Sequence, residues 1–218
     1  MAHVANDDPA SPVQRERRTR ILDSTIALAS QGGFDAVQMR AVAEQADVAL
    51  GTLYRYFPSK IHLLVTALAR EFERADAALT SNPVPGDTRA DRVIHLLRSL
   101  TRGLQDDPHL TEALTRAFMF ADRSARQEIN GVGLLLIRML TRAMDPERVD
   151  PGLVDPGLVD PGLVDTASGQ AAPTDEDAAI ARVIADVWLA ALMAWVTGRS
   201  SAEETSAHME RAVRLILR

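Results

Sequence analysis

Between Leu50 and Lys60 the chain gathers side chains suited to the surface of a nucleic acid. Leu50, Gly51, Thr52, Tyr54, Arg55 and Tyr56 mix hydroxyl, guanidinium, aromatic and aliphatic groups, which match phosphates, base edges and thymine methyls. Both tyrosines of the 218 residues and the only lysine, Lys60, fall in this window. Catalytic chemistry has no comparable cluster. His3, His62, His95, His109 and His208 are scattered without a His-x-x-x-His pair, and there is no glycine-rich phosphate loop or nucleophile elbow. The absence of cysteine excludes disulfide scaffolds and thiolate metal sites. No catalytic residue, metal or cofactor is therefore expected.

Helical spacing supplies the elements that would carry this window. An apolar stripe of Ile21, Leu22, Ile26, Leu28 and Ala29 predicts a first helix from Arg15 until Gly32-Gly33 stops it. Two short helices follow, about 38–46 and 49–56, joined at Asp47-Val48 and packed through Val42, Ala43, Val48 and Leu53. These are the proportions of a helix-turn-helix. Spacing alone leaves two readings open, a DNA reader or an ordinary helical hairpin. The net charge of −6 argues mildly against DNA, but residues 15–60 carry seven basic against five acidic side chains, so the acidic excess lies elsewhere.

Beyond Pro58 the pattern stays helical. Ser59 predicts the cap of a long fourth helix with Leu64, Leu68 and Phe72 along one side, ended by Asn82-Pro83-Val84-Pro85-Gly86. Asp87 then opens a fifth helix and Pro108 a sixth. A seventh runs from about Asp122 to Ala143 around Leu134-Leu135-Leu136-Ile137, with Gly131 and Gly133 marking a kink or the close approach of a ligand or backbone. Asp-Pro-Gly-Leu-Val occurs three times from Asp150 to Val164, inside a low-complexity loop over 145–173. Two helices close the chain, predicted to be capped by Thr174 with Asp177 and by Ser201 with Glu204. Their broad apolar stripes need more partner surface than one chain supplies, which predicts a homodimer through this pair, built as a four-helix bundle. No run of about twenty apolar residues is present, and the stretch from Met1 to Pro12 is polar and acidic. No membrane association and a cytoplasmic location are expected.

The run Gly33-Phe34-Asp35-Ala36, Met39-Arg40-Ala41-Val42-Ala43 and Gly51-Thr52-Leu53-Tyr54-Arg55-Tyr56-Phe57-Pro58-Ser59-Lys60 resembles the DNA-binding signature of the TetR family of transcriptional regulators. A narrower resemblance, which includes Ala181-Arg182-Val183-Ile184-Ala185-Asp186-Val187-Trp188-Leu189 near the end, is to the KstR-type repressors of sterol catabolism in actinobacteria. The Pro- and Asp-containing start without periodicity predicts a disordered arm over 1–14. The resemblance implies an all-α fold of about nine helices, with a three-helix DNA-binding domain over 15–58 and a ligand-binding and dimerisation domain over 59–218. It implies that Arg40, Leu50, Gly51 and Tyr54 approach bases of a near-palindromic duplex operator, while Gln38, Thr52, Arg55, Tyr56 and Lys60 hold phosphates. Two positions depart from the family pattern. Asp47 stands where glycine is common, and Ala49 removes the usual serine cap of the reading helix.

Apolar residues of the larger domain offer a wall for an effector: Leu68, Phe72, Leu100, Leu104, Leu114, Phe118, Met139, Trp188 and Leu192. The resemblance implies that the effector is a steroid acyl-coenzyme A thioester that relieves repression of cholesterol and lipid catabolism genes. The competing readings are a regulator of another hydrophobic ligand, in efflux or fatty-acid metabolism, and a helical lipid-binding module that does not read DNA. Residues 57–64 are expected to convert sensing into movement of the reading helices.

Overall fold

A computed structural model describes residues 11–82, 84–146 and 175–218. Among the described residues there are nine α-helices, one 3-10 turn and no strand. The helices are α1 (Pro12–Ala36), α2 (Met39–Gln45), α3 (Leu50–Tyr56), α4 (Lys60–Ser81), α5 (Arg89–Asp106), α6 (Pro108–Met119), α7 (Arg126–Met144), α8 (Asp175–Val196) and α9 (Ala202–Ile216). The all-helical expectation holds. The Asp-Pro-Gly-Leu-Val repeats, the Thr174 cap and the first ten residues of the arm lie outside the described residues.

The helix starts follow local capping chemistry. Ser11 caps α1 in a capping box with Gln14, with Pro12 at the first position, so the helix begins three residues before Arg15, inside the span assigned to the arm. The signal Ser-Pro-x-Gln was legible but unread. Thr88, rather than Asp87, caps α5, through a capping box with Asp91. Asp122 caps the 3-10 turn Arg123–Ala125, and α7 proper starts at Arg126. Ser201 and Glu204 form the predicted box at α9. In the boxes of α5 and α9 a carboxylate accepts hydrogen bonds at the helix start, which holds the Asp91 and Glu204 carboxyls below the usual range.

The first three helices pack around Ile21, Leu22, Val37, Val42, Leu53 and Phe57, all buried. α4 runs from this unit into the larger bundle, where Leu63, Leu64, Val65 and Ala67 are fully covered and α6 and α7 flank it. Of the run expected at the centre of α7, Leu136 is buried but Leu134 is 60% exposed, because four consecutive helical positions cannot all face one core. α7 carries no left-handed glycine: neither Gly131 nor Gly133 has a positive φ, so no kink arises from them. α8 is the one described helix long and apolar enough, by length and composition, to cross a membrane. It packs on α6, α7 and α9 with Ile184, Trp188 and Leu192 in the core, yet Ala181 and Ala191 are the only other residues of Glu176–Val196 that are buried. Its exposed surface is mixed, with Val183 and two alanines beside Glu176, Arg182 and Asp186.

The end of α1 sets the relation between the two parts. Gly32 and Gly33 interrupt the helix as expected, but one further turn continues to Ala36. Gly33 has φ 67° and ψ −158°, a region open essentially to glycine, and a Cβ there would lie 2.7 Å from Glu112 Oε2. Replacing Gly33 by alanine is expected to cost about 1–3 kcal/mol through this strain, read as a lowered midpoint in chemical denaturation at fixed protein concentration.

Candidate nucleic-acid interface and ligand cavity

The turn between α2 and α3 is tight. Val48 N–H donates to the Ala43 carbonyl at 3.0 Å, and Asp47 takes φ 53°, the left-handed conformation expected where relatives carry glycine. Ala49 sits at the N-cap of α3 without a side-chain cap bond. Leu53 is fully buried against α2, which forces the opposite face of α3 outward. On it Leu50 is 39% and Tyr54 46% exposed, with Gly51 and Arg55 exposed and Thr52 partly buried. A Cβ at Gly51 would meet nothing within 4 Å, so no packing within the chain requires glycine there. Gln38, at the N-cap of α2, is exposed, and Arg40 is exposed with Glu44 3.5 Å away. Tyr56 is half-buried beside Phe57.

Lys60 is placed differently from the others. Its Nζ lies 3.8 Å from the centroid of the Phe34 ring, and the Arg116 guanidinium lies 4.4 Å from the same centroid. Partial burial holds the Lys60 ammonium below its usual range; Asp35 raises it, Arg116 lowers it and Glu112 raises it. In this conformation Lys60 belongs to the junction between α1, α4 and α6 rather than to fully exposed surface. The same junction holds Glu112 Oε2, which accepts from Phe34 N–H at 2.8 Å. His62, buried at the start of α4, bonds Ser59 Oγ and the Ser124 carbonyl, each at 2.9 Å. The larger bundle therefore meets α1–α3 at two places. One is the expected α4 start; the other, which sequence reasoning missed, is α6 gripping the end of α1 through Glu112 and Arg116. Nothing in local periodicity pairs positions almost eighty residues apart.

Inside the larger bundle, α4 to α8 line a cavity of ≈120 Å³, with Leu68, Phe72, Leu104, Leu114, Phe118 and Leu192 among its walls. A second space of ≈240 Å³ between α4, α5 and α6 adds Leu100 and shares the walls Leu68, Phe72, Leu104, Leu114 and Trp188. Each is smaller than the roughly 300–1,000 Å³ of a typical small-molecule site, so an occupant of that size must spread the walls. Trp188 is fixed between them by its Nε1 donating to Thr101 Oγ1 at 3.0 Å and by an edge-on contact with Phe72. Eight of the nine sequence-predicted wall residues line one space or both. Met139 does not. It is 1% exposed and belongs to the core, because its face of α7 is directed into the packed helices rather than the void. The residues missed are Thr115, Val132, Gly133, Leu136, Ala185, Asp186 and Leu189 in the first space, and Glu71, Ala75, Ser99, Gly103, Leu110 and Thr111 in the second. Gly133 had been flagged for a close approach, and it proves to stand at the wall with nothing within 4 Å of an added Cβ.

The family description "Bacterial regulatory proteins, tetR family" matches residues 21–67. A "Tetracyclin repressor-like, C-terminal domain" matches 86–159 and 157–216. The chain belongs to the TetR family. Within that family it is 52% identical over 216 residues to the HTH-type transcriptional repressor KstR of Rhodococcus jostii, covering 99% of this chain and 90% of that one. It is 48% identical over 217 residues to the KstR repressor of Mycobacterium tuberculosis, covering 100% and 88%. These relatives are regulators rather than enzymes. Among solved structures, a TetR transcriptional regulator from a Rhodococcus species is 28% identical with a TM-score of 0.76, covering 94% of this chain and 97% of that one. Thermus thermophilus FadR, a TetR-family repressor in complex with lauroyl-CoA, shares the fold at 18% identity, with a TM-score of 0.66 and coverage of 92% and 93%. TetR-family regulators bind DNA and dimerise.

Proposed function

We propose that this TetR-family protein is a cytoplasmic homodimeric repressor of sterol and lipid catabolism genes, released from a near-palindromic operator by a steroid acyl-coenzyme A thioester. The observation that carries the reading is the apolar two-part cavity whose walls include α4 and α6, the two helices that also hold α1–α3. Residues 15–58 form the reading unit in this proposal, with Arg40, Leu50, Gly51 and Tyr54 facing bases and Gln38, Thr52, Arg55, Tyr56 and Lys60 facing the backbone. Residues 59–218 form the sensor, and the apolar face of α8 with α9 pairs two copies. The open space over Gly51 supports close approach of the duplex to α3.

The apolar walls suit the hydrocarbon surface of a steroid nucleus, which must spread the two adjoining spaces to enter, whereas coenzyme A, polar and multiply charged, must remain outside them. Asp186, the exposed carboxylate of the lining, repels any anion beside it, so the charged part of the thioester must extend past it into solvent. Release requires that the ligand favour a conformation in which the reading helices no longer match the operator. Filling the cavity would displace α4 and α6, and both junctions with α1–α3 would move with them.

Fluorescence anisotropy on labelled duplex operator tests this directly. The steroid thioester is expected to release the protein, its free acid to do so weakly, and a long-chain fatty acyl-coenzyme A to do so no better. No release at saturating steroid thioester overturns the ligand, and preferential release by the fatty thioester transfers the site to fatty-acid metabolism. Tyr54→Ala removes an exposed side chain of α3, so operator affinity is expected to fall while the thermal midpoint stays unchanged, with a steep salt dependence in both proteins.

A further inference from the structure

Six threonines are buried among the described residues: Thr25, Thr66, Thr101, Thr111, Thr115 and Thr205. Five have a side-chain partner. Thr25, Thr66 and Thr205 donate to the carbonyl four residues earlier, the usual resolution for a hydroxyl inside a helix. Thr111 donates to the Leu104 carbonyl at 2.6 Å, and Thr101 accepts from Trp188. Thr115 makes no side-chain hydrogen bond to any described residue, although it is only 6% exposed. It lines the first cavity, amid Leu68, Phe72, Leu114 and Phe118.

The Thr115 oxygen is not one of the fully enclosed side-chain atoms that lack a partner, so it opens on the cavity, a single hydroxyl in a wall that is otherwise apolar around it. Its place in the wall decides what it can meet. Asp186, exposed on α8, marks the rim, while Leu114, Thr115 and Trp188, all nearly inaccessible, mark the inner end. A ligand entering at the rim with its charged head outside brings its far end toward Thr115.

We propose that Thr115 hydrogen-bonds an oxygen, ketone or hydroxyl, carried by the buried end of an otherwise apolar effector, and so selects oxygenated ring systems over plain hydrocarbon ones. This rests on the function proposed above and names what the site reads within it. A ketone accepts from the Thr115 O–H; a ligand hydroxyl can donate to or accept from it. An alkyl chain or unoxygenated ring leaves the hydroxyl unpaired, which is the kind of mismatch that discriminates most strongly between similar ligands.

The test compares two steroid acyl-coenzyme A thioesters that differ only by an oxygen on the ring farthest from the thioester chain. Binding is followed by quenching of tryptophan fluorescence, since Trp188 lines the cavity. The native protein is expected to bind the oxygenated ligand more tightly. Thr115→Val, nearly the same shape without the hydroxyl, should weaken that ligand about three- to tenfold. It should leave the unoxygenated one unchanged or slightly tighter, and Thr115→Ser should restore the preference. Equal effects on both ligands, or none on either, overturn the assignment while leaving the steroid reading intact. Failure of the native protein to bind either thioester overturns both.

Discussion

Replacing Asp76 by alanine is expected to destabilise the protein by about 3–5 kcal/mol, the largest loss from any single change argued for this fold. Asp76 is on α4, 6% exposed, and its carboxylate pairs with Arg138 and, at 2.9 Å, with Arg142, both on α7. The pair ties the far end of α4 to the bundle, opposite the end that meets α1–α3. Removing the carboxylate leaves Arg138, one-fifth exposed at its side chain, without a carboxylate among the described residues, and its Nε already lacks a partner. A buried charge stripped of its partner costs more than the pair contributed, so Asp76→Asn, which keeps hydrogen-bonding oxygen and nitrogen, should lose less. Chemical denaturation at one fixed concentration checks both, because dimerisation makes stability depend on concentration. A loss under about 1 kcal/mol in Asp76→Ala would mean that solvent reaches the arginines and the pair is energetically a surface one.

That network also shows where sequence reading stops. The apolar periodicity of α4 exposed its buried face, and Ser59, Pro108 and Ser201 marked helix starts, because these signals act within one turn of the chain. The cavity wall was largely legible for the same reason: Leu68 and Phe72, or Leu114 and Phe118, are spaced by four and share a face. Met139 has the same signature, but whether an inward face meets a neighbouring helix or a void depends on which helix lies opposite. Pairings such as Asp76 with Arg138, or Glu112 with the end of α1, are set by tertiary approach and have no local spacing to betray them. Thr115 was invisible on both counts: it interrupts an apolar stripe, and only the absence of any side-chain hydrogen bond to a described residue distinguishes it from the other buried threonines. On the nucleic-acid side the exposed face of α3 was readable, while the engagement of Lys60 with Phe34 was not, since it needs α1 and α4 brought side by side.

Gly133→Leu is expected to separate sensing from DNA binding. The residue stands on α7 at the cavity wall, with nothing within 4 Å of an added Cβ, so a larger side chain can grow into the void without striking the protein. Leucine is also the better helix former, by roughly 0.5–1 kcal/mol, so stability should be unchanged or improved. The effector must then compete with the new side chain for the same space. Overpacking of about 1–3 kcal/mol corresponds to a loss of about five- to 150-fold in effector affinity. The outcome is a repressor that holds its operator at effector concentrations that release the native protein. Gly131→Leu is the matched control, because Gly131 lies on the same helix, has equally open space around an added Cβ, and is absent from the wall of either space. It should gain the same helix stability and keep its response. If both variants release normally, the effector does not occupy this cavity; if both fail, α7 must flex for release, and the lost glycine freedom rather than the filled void is responsible.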